Sequence, residues 1–171
     1  MSPMAALPGI SRGGVDAEAT FRKLTGATEA KTAALGDAVL GGHHIEVKQA
    51  RSSTLNQVRA VKYITLVAFS VPNKRWYVIP ANEIVRQCAR KMRGQHTENP
   101  FESATLSLYN LKKYALRNPK DLKDAVLKAI DEAKRYPALK KLMDEVLHNS
   151  KTLAQASVAD VQVALRQYGL S

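Results

Sequence analysis

Apolar and polar positions change period several times along the chain, and each change marks a new element. Val15, Ala17, Phe21 and Leu24 recur at helical spacing with Gly26 behind them, which predicts a helix over Asp16 to Leu24. Thr28 to Leu35 has no firm period and suits at most a poorly marked first strand. Between Gly36 and Gln49 the pattern becomes two short strands joined by Gly41-Gly42. The first carries Asp37. The second alternates, with His44, Glu46 and Lys48 on one face and Ile45 and Val47 on the other. Ala50 to Thr54 is polar, and Thr54 suits the cap of a helix from Leu55 to about Lys62. Tyr63 to Ser70 is apolar almost throughout, as a central strand covered on both faces would be. Pro72 and Asn73 make a turn, and Trp76 to Ile79 is a further strand, in which one of Trp76 and Tyr77 is expected in the core.

Beyond Pro80 the pattern is helical. Ala81 to Arg93 carries Ile84, Val85, Cys88, Ala89 and Met92 on one side and Arg86, Arg90 and Arg93 on the other, with Lys91 nearby. Gly94 to Phe101 reads as a loop containing Gln95, His96, Asn99 and Pro100. Four helices are expected after it, over Ala104 to Leu116, Pro119 to Arg135, Pro137 to His148 and Val158 to Tyr168. Pro119 and Pro137 fit first turns, and Asn149 and Gly169 fit ends. The order predicts an α/β protein with a mixed sheet flanked by helices. It divides into an N-terminal arm over 1–14, rich in Pro and Gly, a core over 15–103 and a helical C-terminal extension over 104–171.

Composition narrows the class. The 171 residues are 45% hydrophobic and 24% charged, which is globular and large enough for a real core. The net charge of +11 points to a polyanionic partner, most often nucleic acid. A lone cysteine, Cys88, excludes an internal disulfide and a cysteine-based zinc site, and suits a small buried residue. No apolar run approaches the ~18 residues of a membrane helix. The N-terminus has no basic region followed by an apolar core, so a cytoplasmic location without membrane contact is expected.

The chemistry concentrates at Asp37, Glu46 and Lys48. Adjacent strands set Asp37 beside Glu46, two carboxylates of the kind that hold Mg²⁺ or Mn²⁺, with the Val47 carbonyl as a further oxygen. Lys48 shares the face of Glu46, where an ammonium orients water or neutralises charge on a phosphate. Asp37, then Glu46-Val47-Lys48 nine residues on, after a helix bearing Glu18, resembles the PD-(D/E)XK nuclease superfamily, which includes restriction endonucleases and archaeal-type Holliday junction resolvases. The likeness covers roughly 15–80. It implies a restriction-endonuclease-like fold, Asp37, Glu46 and Glu18 as metal-binding and catalytic acids, and Lys48 near the attacking water. Asp16 rivals Glu18 as the accessory acid. Gly36 stands where the family name has Pro, and the Gln-x-x-x-Tyr motif of the recombination-exonuclease branch is not met, since Gln57 is followed four residues on by Val61.

The expected activity is therefore metal-dependent endonucleolytic hydrolysis of duplex or branched DNA, by a protein that can pair as a homodimer to cut both strands. Arg86, Arg90, Arg93 and Lys91 are the expected backbone contacts, with Lys112, Lys113 and Arg117 as a second basic group. His43 and His44 face opposite ways, so only His44 can line the Glu46 face. Ser52, Ser53 and Thr54 follow Lys48 and suit phosphate contact, and His96 suits a DNA-facing loop. Two other classes fit the chain less fully: a nucleic-acid-binding module on this fold without catalysis, and an interaction protein docking a partner through its C-terminal helices.

Overall fold

The computed structural model describes residues 15–32, 36–59, 65–97 and 100–136; the N-terminal arm and the helices expected over Pro137 to His148 and Val158 to Tyr168 lie outside the described residues. The elements in order are α1 (Val15–Thr25), β1 (Thr28–Glu29), β2 (Ala38–Leu40), β3 (His43–Ala50), β4 (Thr54–Val58), β5 (Thr65–Ser70), β6 (Arg75–Pro80), α2 (Ala81–Ala89), β7 (Ala104–Ser107) and α3 (Leu122–Ala133). A 3-10 helix over Leu108–Tyr114 follows β7, and a short one over Pro119–Asp121 leads into α3.

Five strands form a mixed sheet in the order β1-β2-β3-β5-β6. Only β3 and β5 run parallel, and the other neighbours are antiparallel. The β2–β3 hairpin turns on Gly41 and Gly42, at φ 58° and 78°. Two consecutive left-handed residues make the turn whose twist matches the strands, and glycine takes it without strain. β5 is buried at every residue, as its unbroken apolar run predicts. One face, with Ile45, Val47, Val67, Phe69, Trp76 and Val78, packs on α1 and α3 through Phe21, Val126 and Ile130. The other, with Leu66, Ala68, Tyr77 and Ile79, packs under α2 and a two-stranded ribbon of β4 and β7. Trp76 and Tyr77 are therefore both core, one in each layer.

Three expected helices come out differently, each for a local reason. Leu55 and Val58 are three apart, which reads as helical, yet β4 is a strand. Its pairing with β7 shifts between Leu55 and Val58, where Gln57 sits at φ 53°. The extra residue of that bulge turns both apolar side chains to the same side. Ala104 to Leu116 is not a helix: Ala104, Leu106 and Leu108 alternate into the core as a strand does. Leu108 and Leu111 then follow the three-residue period of a 3-10 turn. α2 stops at Ala89 rather than Arg93, so Met92, assigned to an apolar face, is 97% exposed. α3 keeps its expected stripe of Leu122, Val126, Ala129, Ile130 and Ala133.

Residues 104–136 are thus built into the same two apolar layers: β7 pairs with β4, and α3 touches β5, β6 and α1. Among the described residues no helix is long and apolar enough to cross a membrane. Cys88 is fully buried and burial pushes its thiol up to about 12, in keeping with a small core residue. Phe21 is fully buried, with its ring centroid 6.4 Å from that of Trp76. Phe21→Ala is expected to cost about 3–5 kcal/mol, read as a lower urea midpoint at an unchanged slope.

Candidate active site

The site begins just before β2. Ala38, the first residue of β2, pairs with Ile45, and just before it the Asp37 N–H donates to the Ile45 carbonyl at 3.0 Å. The next inward-facing N–H of that edge belongs to Val47. It donates not to a strand but to the Asp37 carboxylate, at 2.8 Å to Oδ2. In a strand the N–H and C=O of one residue leave the same edge. The Val47 carbonyl therefore lies on the stretch of edge that β2 leaves uncovered, beside Asp37. Gly36 precedes Asp37 at φ 116°, which proline cannot adopt and other L residues adopt only with strain, so glycine at this position is a backbone requirement.

Glu46 and Lys48 leave β3 on the face of Leu66 and Ala68, their register partners on β5. The Lys48 Nζ lies 3.8 Å from the Glu46 Oε1, with the side chains only 20% and 14% exposed. Charges withdrawn this far from water need partners, and each supplies part of the other's. Glu18 projects from α1, which packs against β3 and β2. Its carboxyl is held above the usual range, first by burial and then by the negative charge of Asp37; Arg22 pulls the other way. The four side chains line one cleft of about 370 Å³, together with Val47, Gln49, Arg51, Ser52, Thr54, Leu55 and Asn56.

The donor set is oxygen-rich: carboxylates of Asp37, Glu46 and Glu18 and the strand-edge carbonyl of Val47, a residue that lines the cleft. It suits a hard divalent cation such as Mg²⁺. Among the described residues no three His, Cys, Asp or Glu side chains form a ready-made cage, so the acids share the cleft without closing on one point. Asp16 lies on α1, and the structure describes nothing of its side chain. His44 is half-buried on β3, and the cleft is lined without it.

The expected basic stripe is not gathered on one helix face. Arg86 lies 3.5 Å from Glu83, a buried acid on its own helix. The sequence shows no acid from Ile84 to Thr97, but the neutralising one stands just before that interval. Arg90 caps α2, and Lys91 and Arg93 follow the helix end. Lys113 also reaches Glu83, at 3.9 Å, while Lys112 lies over the Tyr109 ring at 4.6 Å. Arg117 is exposed after the 3-10 helix. Of the three hydroxyl residues after Lys48, Ser52 and Thr54 line the cleft and Ser53 is not among its lining. Gln49, Arg51 and Asn56 line it too; Arg51 was legible as a cation three residues past Lys48, whereas Asn56 enters only because β4 is a strand.

Compared with known proteins, the chain matches no family model and no curated sequence.

Proposed function

We propose that this chain is a metal-dependent endonuclease that hydrolyses phosphodiester bonds of DNA. The observation that carries the reading is one cleft lined by Glu18, Asp37, Glu46 and Lys48, brought there by a helix, the end of a short strand and the neighbouring strand. Asp37, Glu46 and Glu18, with the Val47 carbonyl, are the groups to hold Mg²⁺ or Mn²⁺, which when bound supplies positive charge to the scissile phosphate and acidifies water. The remaining work falls to the chain. The Val47 N–H fixes one oxygen of Asp37, so the carboxylate is oriented before any ligand arrives. Lys48 lines the cleft beside Glu46 as a partly buried ammonium, where its attraction for a phosphate oxygen is stronger than in bulk water. Ser52 and Thr54 add hydroxyls at the mouth. The overall charge of +11 draws a polyanion to the protein as a whole.

Asp37→Asn and Glu46→Gln each keep volume and remove a negative charge. Both are expected to abolish nicking of plasmid DNA while leaving duplex binding. Lys48→Ala is expected to slow the single-turnover rate by ~10². Wild-type cleavage by Asp37→Asn or Glu46→Gln removes the assignment.

Mg²⁺ and Mn²⁺ are expected to support cleavage of plasmid or branched DNA. Ca²⁺, larger and more loosely coordinated, should support binding with little cleavage. Full activity in EDTA would take the metal out of the mechanism.

The arginines after α2 separate by partner. Arg93 is exposed beyond the helix, so Arg93→Ala should make log K against log salt shallower by about 1 if it meets a phosphate. Arg86 is committed to Glu83, so Arg86→Ala should lower the urea midpoint and leave the salt slope unchanged. Duplex titrations at three salt concentrations, alongside urea melts, read both.

A further inference from the structure

The ribbon beside the cleft carries a feature that its own packing does not use. Leu55 faces Leu106 and Val58 faces Ala104, so Asn56 and Gln57 together stand opposite Thr105 alone. Leu55, Val58, Ala104 and Leu106 are all buried, and Asn56 and Gln57 are both exposed. Gln57 is held at φ 53°, a conformation unfavourable for a residue with a side chain. What holds it comes from outside the ribbon. The Gln57 N–H donates to the Gln95 Oε1 at 2.6 Å, and the Thr105 hydroxyl donates to the same oxygen at 2.9 Å. Both lone pairs of the Gln95 carbonyl are thereby used, and the amide is oriented. Its NH₂ group is the part left to act.

Asn56 is the neighbour on the cleft side of Thr105. Its Oδ1 lies 3.4 Å from the Thr105 hydroxyl, whose one proton goes to the closer Gln95 oxygen, and the residue lines the same cleft as Glu46 and Lys48. The surroundings are basic. Arg51 and Arg59 bracket β4 and Arg93 precedes Gln95 by two residues, all three exposed. Neither β4 nor β7 carries an acid; Glu102, just before β7, accepts a hydrogen bond from Thr97 at 3.1 Å. Oriented amide N–H groups set among guanidiniums match phosphodiester oxygens, which accept and never donate.

We infer that the Asn56–Thr105–Gln95 patch seats the sugar-phosphate backbone of a DNA strand beside the cleft. The Gln95 NH₂ group donates to a phosphate, and Asn56 holds the strand where it enters the cleft. The inference rests on the nuclease reading of that cleft, since it takes the strand to be the substrate.

The test uses the full chain and anisotropy of a fluorescein-labelled DNA duplex in Ca²⁺ buffer, with plasmid nicking in Mg²⁺ measured beside it. Gln95→Glu keeps an oxygen for Gln57 and Thr105 but replaces the donor with an acceptor. It should leave the thermal midpoint unchanged and weaken duplex binding ~10-fold or more. Asn56→Ala, at an exposed residue, should weaken it ~3-fold or more. If Gln95→Glu binds as the wild type does while Gln95→Ala both melts earlier and binds poorly, the amide only props the bulge and the inference is overturned. Failure of the wild-type chain to hold the duplex overturns it as well. A chain that binds but never nicks, and whose affinity falls in both variants, keeps this patch and removes the nuclease reading. A chain that nicks through Glu46 and binds equally well in both variants does the reverse.

Discussion

The candidate site depends on one hydrogen bond across a missing strand. β2 is only three residues long, and the edge of β3 beyond Ile45 needs another partner. A buried strand edge with unsatisfied N–H groups is costly, and the Asp37 carboxylate meets that need by accepting from Val47. The same contact stands where β2 is absent, and both of its residues line the cleft. Had β2 run on, its backbone would have taken the Val47 N–H and covered the carbonyl beside it. Fold and site are therefore decided by the same pair of atoms.

Two carboxylates, Glu83 buried and Glu18 half-buried, are treated in opposite ways. Glu83 is surrounded: Arg86, Lys113, the Tyr114 hydroxyl at 2.9 Å and the Gln87 amide all reach it. It ties α2 to the 3-10 helix and pushes the Tyr114 hydroxyl well above its ordinary range, behind burial as the larger cause. That acid is a structural joint, with its charge answered from every side. Glu18 has an acid, Asp37, for its neighbour: its carboxyl is raised first by burial and then by that negative charge, against the pull of Arg22. An arrangement in which like charges face across a cleft is destabilising by itself, and a cation relieves it. The contrast is between an acid whose charge is met by its neighbours and one whose nearest charged neighbour in the cleft is another acid.

The ribbon repeats the theme at the level of the backbone. A regular β4 would place Leu55 and Val58 on opposite faces, and only one could be buried. The bulge buries both, at the expense of a left-handed Gln57. The Gln95 side chain, reaching across from the loop after α2, holds that geometry. A packing demand thus brings Asn56 and Gln95 to the rim of the cleft.

What the sequence determined by itself was the part governed by local period. The β2–β3 hairpin, the alternation that separates Glu46 and Lys48 from Ile45 and Val47, the buried β5, α1 and α3 all follow from spacing within a few residues. So does the proximity of Asp37 and Glu46, because two strands and a tight glycine turn fix it. Tertiary structure decided the rest. Leu55 and Val58 at a spacing of three fit a helix and a bulged strand equally well, and only pairing with β7, far along the chain, chose the strand. α2 ended at Ala89, which dispersed an arginine stripe that a longer helix would have aligned. Arg86 was claimed by Glu83, and Glu83 is anchored by residues thirty positions away. Local spacing records which side chains share a face. The partners of that face are set by contacts between distant segments, and those contacts decide which charges are neutralised and which remain turned toward the cleft.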